Sequence, residues 1–486
     1  MSDLAEPRGS WFLGLTKTKN SDFVMTKRFS MVAVIAFGLI GCGGGEAASE
    51  AESVAPFTGI NFSVHVPGET GLSPILEPLI EEWNARTGAN AVVAEYASPD
   101  ALDFSPGDVV IVSMSGSNAI ASQMAVVPES SRGLEELNWN QLLRGLRERV
   151  AKRDREGRML PLSCPTLLCY YRKDLLEASG QEPPKTWAEY NKLVTTVDEW
   201  APGLTAVEPW GAETRSMMFT ARSIAYASPR GSLSLFFDLD TGAPRLNTEG
   251  FTRALTEFKS VAPAFADCWD MTPDQCRTAL LSGKAAIGLA TEPSVAGAAV
   301  ERAEDVQLGF CRLPGSPEVY SLSLSEWQSD RMNQPGLVGF DGYLAGVADV
   351  SDATALSAGF NLLRAVNEQV VGSHSSTVRG FTANWHADIA APLFEPGLTI
   401  DEATNFVEAS FETLRDEHLV VDLPVSKNAE LQAALANVLT ADAIANRPAA
   451  DILGDINKAW QAIVDEVGSL EFANDYRRNI GVRQKK

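Results

Sequence analysis

Apolar and polar positions divide the first part of the folded body into strands and a helix. Residues 60–66 (INFSVHV) alternate apolar and polar side chains, which predicts a strand with one buried face. Residues 72–87 carry apolar side chains at helical intervals and end at Gly88, so they predict a helix. Residues 90–96 are strand-like, and the apolar run 108–114 is typical of a strand buried on both faces. This order indicates an α/β fold with parallel strands.

The same patterns continue to the end of the chain. Thr186, followed three residues later by Glu189, predicts a capping box at the start of a helix. Because ligands of open α/β sheets bind beyond the carboxyl ends of strands, the loops after Val66 and Met114 are cleft candidates. Further strands are predicted at 167–171, 285–290 and, after a turn, 339–347, and further helices at 252–261, 273–281, 353–366, 430–439 and 450–467.

A leader precedes this body. A basic pair at 27–28, the apolar run 31–40 and small residues after it have the layout of a secretory signal. Ten helical residues span roughly 15 Å, too short for a membrane crossing. The run ends in LIGC, which is similar to the lipobox of bacterial lipoproteins and implies cleavage before Cys42 and lipid attachment there. We expect a signal peptide over 1–41 and a flexible tether over 42–57. The alternative is a plain signal peptide with a chance cysteine.

Composition narrows the function classes. The 486 residues include 63 acidic and 40 basic side chains, giving a net charge of −23. Such a chain repels phosphate backbones, so no nucleic-acid partner is expected. No two of the four histidines lie within four residues of each other, which disfavours histidine-based metal sites. We expect no metal and no cofactor, and motifs for serine hydrolases and phosphate-binding loops are missing from the sequence.

The cysteines suit an exported protein. Cys268 and Cys276 bracket a short polar loop and predict a disulfide in an oxidising compartment. Cys164 and Cys169 would lie roughly 16 Å apart on an extended segment, too far for a bridge. The pairing of Cys164, Cys169 and Cys311 stays open, and we interpret the remaining thiols as buried apolar groups.

One segment resembles a known family. Residues 161–190, PLSCPTLLCYYRKDLLEASGQEPPKTWAEY, resemble the hallmark of the family 1 extracellular solute-binding proteins, which are maltose-binding-protein-like. That hallmark combines a proline-led segment, an aromatic pair, Lys-Asp-Leu, a short helix ending in glycine, and Pro-Pro-Lys-Thr-Trp. Weaker similarities follow in the family's order at 76–92, 281–289, 339–344 and 439–463.

The resemblance implies an α/β, two-lobed periplasmic-binding-protein-like fold of type II. Each lobe would hold a mainly parallel sheet flanked by helices, with a hinge between the lobes. The chain would cross between lobes near 161–164, 313–314 and 372–376. The implied division assigns 58–163 plus 312–372 to lobe 1, 164–311 plus 373–475 to lobe 2, and 476–486 to a tail.

The resemblance also implies a function. A lipid-anchored monomer on the periplasmic or cell-surface side of a bacterial membrane would close on a small solute, expected to be a carbohydrate. It would deliver that solute to the permease subunits of an ABC importer and would not be an enzyme. Two alternatives stay open, a carbohydrate-active surface enzyme on an α/β scaffold and a sensor lipoprotein that does not transport.

Candidate ligand contacts are polar and aromatic residues near the implied cleft, since sugars present apolar faces and hydroxyl rims. Trp210 could instead pack at a helix start, and Asp341 could stabilise a turn. Glu292 stands where the family often has a tryptophan, and Arg215 could hold a carboxylate or phosphate, so acidic and phosphorylated solutes stay open. The candidates are Ser115, Ser117, Thr166, Trp210, Arg215, Glu292, Phe340, Asp341, Tyr343 and Arg379.

Overall fold

A computed structural model describes residues 55–68, 70–128, 142–153, 156–291, 300–303, 305–372 and 398–485. The predicted signal peptide, almost all of the predicted tether and the third predicted crossing at 372–376 therefore lie wholly or largely outside the described residues.

The described strands and helices alternate along much of the chain. The strands are β1 (Asn61–Pro67), β2 (Asn90–Tyr96), β3 (Val109–Ser113), β4 (Lys152–Arg153), β5 (Glu156–Gly157), β6 (Leu160–Pro161), β7 (Leu167–Arg172), β8 (Thr205–Val207), β9 (Ala285–Thr291), β10 (Leu308–Arg312), β11 (Val319–Ser321), β12 (Glu326–Gln328), β13 (Gly336–Val338), β14 (Tyr343–Val347) and β15 (Leu419–Val421). The α-helices are α1 (Ser73–Thr87), α2 (Ser117–Ile120), α3 (Arg144–Leu146), α4 (Lys173–Ala178), α5 (Trp187–Thr195), α6 (Val197–Trp200), α7 (Arg215–Ala227), α8 (Glu249–Val261), α9 (Pro273–Leu281), α10 (Ala353–Gly372), α11 (Ile400–Arg415), α12 (Asn428–Val438), α13 (Ala441–Asn446), α14 (Ala449–Val467) and α15 (Ser469–Asn479).

The first sheet has the strand order β2-β1-β3-β14-β6. Strand β1 runs parallel to β2 and β3, whereas β14 runs antiparallel to β3 and β6. Val109 and Ile111 of β3 join one apolar core, and Val110 and Val112 join another. This confirms the prediction that the 108–114 strand is buried on both faces.

The second sheet has the order β10-β7-β9-β8. Strand β7 is buried along its whole length and runs antiparallel to both β10 and β9, while β8 is parallel to β9. Aromatic side chains from β7, α5 and α8 pack into the core around it. The segment 161–190 thus supplies one inner strand of this sheet, the helix α4 and the start of the helix α5.

Both sheets are mixed, so the expectation of mainly parallel sheets is wrong in this detail. The antiparallel members β7 and β14 are the strands that the chain enters when it passes from one sheet to the other. Such a strand starts at the edge where its neighbours end, and it therefore runs against them.

The two described passages between the sheets differ in how well they were predicted. The first lies between Pro161 of β6 and Leu167 of β7, close to the predicted 161–164. The predicted return at 313–314 is wrong, because Leu313 is buried in the core of the second sheet. The Asn333 amide further holds this segment to α7 by donating to the carbonyls of Ala225 and Ser228. The next strand of the first sheet is β14, which the chain enters after the turn 339–342.

Local signals at two helix ends had different outcomes. The Thr186 capping box is confirmed: Glu189 N–H donates to Thr186 Oγ1 at 3.2 Å, and the Glu189 carboxylate accepts from Thr186 N–H at 2.9 Å. The predicted tail from 476 is wrong at its start, because α15 extends to Asn479 and Tyr476 is buried. The folded chain therefore continues beyond the predicted boundary.

Candidate functional site

The carboxyl ends of the parallel strands in the first sheet meet at one edge. Pro67, which ends β1, is paired with Tyr96, which ends β2. Tyr343, which begins β14, lies opposite Ser113, which ends β3. Ligands of open α/β sheets bind beyond this edge. The edge cluster is defined here as Thr70, Tyr96, Ser113, Ser115, Asp341 and Tyr343.

The glycine-rich turn 339–342 brings Asp341 and Tyr343 to this edge. Gly342 has φ of +96°, and a Cβ there would lie 2.5 Å from the Ser163 carbonyl oxygen, so only glycine fits. Its carbonyl accepts from Met114 N–H at 2.9 Å, and Asp341 Oδ1 accepts from Gly342 N–H at 2.6 Å. The turn is therefore fixed both to the end of β3 and to the first passage between the sheets.

Tyr343 supplies a neutral hydroxyl at the edge. The residue is 8% exposed, and its backbone N–H donates to Ser163 Oγ at 2.9 Å. Burial, and secondarily the charge of Asp341, raises the pKa of Tyr343 to about 12, although a hydrogen bond with Thr70 acts in the opposite direction. At neutral pH the phenol stays protonated and can both donate and accept a hydrogen bond.

Sequence reasoning missed Tyr96 and Thr70 as individual residues. The Tyr96 hydroxyl donates to the Ile111 carbonyl at 2.9 Å, and burial, with the nearby Tyr343, raises the pKa of Tyr96. Thr70 Oγ1 donates to the Pro67 carbonyl at 2.7 Å. The signal was present, since Thr70 lies in the loop after Val66 that was named as a cleft candidate.

The two predicted serines occupy different environments. Ser115 is half-buried in the loop after β3, and its hydroxyl lies 3.3 Å from that of Ser113. Ser117 is fully buried, and its hydroxyl donates to the Met114 carbonyl at 2.7 Å. Ser115 therefore belongs to the edge cluster, whereas Ser117 stabilises the turn that begins α2.

Thr166 and Phe340 pack into protein rather than line the edge. The Thr166 hydroxyl is fully buried and lies 2.9 Å from the hydroxyl of Ser410 on α11. Phe340 is half-buried and packs against the core of the second sheet. Thr166 is buried away from the edge cluster, and its role as a solute contact stays a prediction.

Trp210 is a core residue, which corrects its prediction as a ligand contact. Its ring is 1% exposed and stacks on Phe258 with 4.1 Å between ring centroids. Trp269 lies against it at 5.5 Å. The indole N–H donates to Glu208 Oε2 at 2.8 Å. Its ring is therefore enclosed by aromatic neighbours and cannot offer a face to a sugar.

Glu208 and Arg222 form a buried ion pair beside this tryptophan. The two side chains are 0% and 4% exposed, and Arg222 Nη2 donates to Glu208 Oε1 at 2.5 Å. The guanidinium lies over the ring of Trp187 at 4.5 Å and also donates to Asn191 Oδ1. This network holds together the helices around the second sheet.

Arg215, predicted as a ligand contact, is engaged in hydrogen bonds within the protein. Its guanidinium donates to the carbonyls of Trp210 at 3.2 Å and Ala436 at 2.9 Å, and lies 5.3 Å from the Trp269 ring centre. Burial lowers its pKa, but the group stays charged. It joins the start of α7 to α12.

A family match follows from the sequence as a whole. Residues 90–369, more than half of the chain, match the family model described as bacterial extracellular solute-binding protein. The chain belongs to this family. The match confirms the resemblance of the 161–190 segment, and no curated protein sequence matches this solute-binding protein.

Solved structures agree with the fold of this solute-binding protein. Maltose-bound MalE3 of T. maritima has a TM-score of 0.58 at 14% identity, covering 83% of this chain and 100% of that one. A ribitol complex of an ABC transporter solute-binding protein from Agrobacterium radiobacter K84 has a TM-score of 0.58 at 14% identity, and the match covers 84% of this chain and 100% of that one. The maltose-maltodextrin binding protein of Alicyclobacillus acidocaldarius has a TM-score of 0.53 at 17% identity, and the match covers 82% of this chain and 100% of that one. These likenesses confirm the two-lobed α/β fold.

Other predicted features of the solute-binding protein had mixed outcomes. Glu292, Arg379 and the lipid-attachment residue Cys42 lie outside the described residues. The predicted Cys268–Cys276 disulfide is absent: both are free, buried thiols, and the Cys268 thiol instead faces the Ala206 carbonyl at 3.9 Å. Within the described ranges no helix is long and apolar enough to cross a membrane, and no carboxylate, histidine and cysteine side chains group as a metal site.

Proposed function

We propose that this protein is a lipid-anchored extracytoplasmic receptor that delivers a neutral, polyhydroxylated solute, a carbohydrate or polyol, to an ABC importer. The edge cluster carries the proposal. Its hydroxyls and one carboxylate offer donors and acceptors for solute hydroxyl groups at the edge where α/β sheets bind ligands. Family membership and the maltose and ribitol complexes of the similar structures support it.

Charge favours a neutral solute over an acidic one. Arg215, the residue that left anionic solutes open, is engaged by backbone carbonyls. The edge cluster contributes Asp341, and the chain as a whole carries a charge of −23. A phosphorylated or carboxylated solute would be repelled by both.

The cluster lies beside the passages about which the lobes would close. Ser163, in the first passage, accepts hydrogen bonds from Tyr343 N–H, and the second passage is the turn that presents Asp341. Rotation about these two passages would move the second sheet toward the edge cluster. Hinge closure would thus enclose a solute that contacts Tyr343 and Asp341.

Sugars and polyols are expected to stabilise the protein against heat. A solute at about 100 times its dissociation constant should add roughly 2.7 kcal/mol to the free energy of unfolding, giving a shift of a few degrees in Tm. Thermal unfolding against mono- and oligosaccharides, polyols and sugar phosphates measures this. A flat response to all neutral members contradicts the proposal, and consumption of a member would support a carbohydrate-active enzyme instead.

A matched pair of variants locates the binding. Tyr343→Phe removes one hydroxyl from the edge cluster and should weaken affinity roughly tenfold, the value of about one hydrogen bond. Tyr320→Phe on β11, whose ring packs on Trp327, should leave affinity unchanged. Equal affinities of the two variants for the solute would show that the Tyr343 hydroxyl does not contact it.

The lipid anchor is expected to depend on Cys42. If the leader is processed as a lipobox, labelled fatty acid should be incorporated into the chain, and Cys42→Ala should abolish incorporation and release the protein from membranes. Cys164→Ala, which changes a buried body cysteine, is the control. Incorporation that survives Cys42→Ala would contradict the anchor.

A further inference from the structure

Cys169 and Cys311 lie directly opposite one another in the second sheet. They are register partners in the antiparallel pairing of β7 with β10. Opposed residues in such a pair project from the same face, with Cα atoms about 4.5–5.5 Å apart. A disulfide needs Cα atoms about 4.4–6.8 Å apart. The sheet therefore already holds the two cysteines at a distance that a disulfide can bridge.

The two side chains also influence one another. The Cys169 thiol is fully buried. Burial, followed by the neighbouring Cys311 thiol, raises the pKa of Cys169 well above its ordinary value. Cys311 is partly exposed, and its thiol faces the Pro184 carbonyl at 3.8 Å. Cys311 is therefore the less buried of the two cysteines and the one that we expect an oxidant to reach first.

We propose that Cys169 and Cys311 form a cross-strand disulfide when the protein meets a disulfide oxidant. The oxidant is a thiol–disulfide oxidoreductase or a small-molecule disulfide of the extracytoplasmic compartment. That the protein meets such an oxidant in the cell rests on the proposed extracytoplasmic function, whereas the ability of the two thiols to form the disulfide does not.

The reaction takes place in two exchanges. The Cys311 thiolate attacks the oxidant's disulfide, forming a mixed disulfide and releasing one thiol. The Cys169 thiolate then attacks the Cys311 sulfur, closing the protein disulfide and releasing the second thiol. Two protein thiols are oxidised and one oxidant disulfide is reduced, so two hydrogens pass from protein to oxidant. Because burial disfavours the Cys169 thiolate, the second exchange should accelerate as pH rises.

The bond would join the first and the last strand of the second sheet in chain order. Cys169 lies near the start of β7, just after the first passage, and Cys311 lies next to the end of β10. The link closes a loop of about 140 residues, which restricts the unfolded chain strongly. The oxidised protein should therefore resist heat better than the reduced protein.

The test compares the reduced and oxidised forms of the full chain. After incubation with oxidised glutathione at pH 8, peptide mapping should find the Cys169 peptide linked to the Cys311 peptide, with the loss of two hydrogens. The Tm should rise on the order of 5 °C or more relative to the reduced chain. Cys164→Ala should give the same link, whereas Cys311→Ser should give none and no rise in Tm.

Three outcomes would overturn the inference. One is a stable glutathione adduct on Cys311 that Cys169 does not resolve. The second is a link that joins either cysteine to Cys164, Cys268 or Cys276 in the native protein. The third is the persistence of both thiols under these conditions. Because the oxidant is supplied in solution, these outcomes are independent of the cellular location and of solute binding.

Discussion

Replacing Glu208 by alanine is expected to lower the free energy of unfolding by about 3–5 kcal/mol, the cost of leaving a buried charge without its partner. Arg222 is 4% exposed and would lose its only anionic partner among its described hydrogen bonds. The indole N–H of Trp210 would lose its acceptor as well. Chemical denaturation measures this loss.

Two variants separate the charge from the packing. Glu208→Gln keeps the side-chain volume and one acceptor, so it should cost less than Glu208→Ala. Glu417→Ala removes one partner of the Arg144–Glu417 pair, whose side chains are 76% and 78% exposed, and should cost under about 1 kcal/mol. Equal losses for Glu208→Ala and Glu417→Ala would show that the buried network does not stabilise the second sheet's core.

The contribution of Asp422 to the free energy of unfolding is expected to fall as the pH rises from about 4 to about 6. This carboxyl is 1% exposed and accepts hydrogen bonds from Thr220 Oγ1 at 3.3 Å and Gln432 Nε2 at 3.0 Å, both neutral. Burial raises the pKa of Asp422 to about 6, and these two hydrogen bonds only partly offset the burial.

The direction follows from proton linkage. In this pH range the folded protein binds more protons at Asp422 than the unfolded chain does, so raising the pH favours unfolding. A pKa difference of about two units corresponds to about 3 kcal/mol of the free energy of unfolding. This amount is lost as the pH rises to about 6, and the contribution of Asp422 does not change further above that pH. Asp422→Asn should remove this fall and stabilise the protein at pH 8, with the Gln432 amide reversing to accept.

The pH profile of the free energy of unfolding of Asp422→Asn must be compared with that of the unmodified chain. Asp108, Glu402 and Asp416 have pKa values below their ordinary ones, so they lower stability toward acid and overlap the effect. Glu412→Gln, which changes an exposed carboxyl on α11, should follow the unmodified chain across the range. Identical pH profiles for Asp422→Asn and the unmodified chain would contradict the prediction.

Patterns confined to a few neighbouring residues predicted much of the fold. The apolar run of β3, the spacing in α1 and the Thr186 capping box depend on local geometry, and each is found. The glycine-rich turn was also predicted, because a positive φ at Gly342 is a property of that residue type. The fold class was inferred from the order of these elements and from the 161–190 segment.

The site was harder to predict because it depends on distant contacts. A tryptophan beside polar residues is equally consistent with a cleft wall and a core. Trp210, in the loop before α7, belongs to the core because its ring stacks on Phe258 of α8. The role of Arg215 is likewise set by a distant contact, the hydrogen bond from its guanidinium to the Ala436 carbonyl. Tyr343, predicted as a solute contact from the glycine-rich turn, lies at the sheet edge, and its contact with solute stays a prediction. Tyr96 could be recognised only from the structure, because the pairing of β2 with β1 brings it to this edge.

The pairing of β3 with β14 also bears on the order in which the two sheets can form as the chain folds. Tyr343 and Ser113 are paired across about 230 residues, so the first sheet is complete only after the chain has been delivered as far as Val347. All four strands of the second sheet lie between these two partners. A chain that emerges from its amino terminus can finish the second sheet while β3 still has an open edge. That edge is the surface a chaperone or a translocation partner would need to shield until β14 arrives.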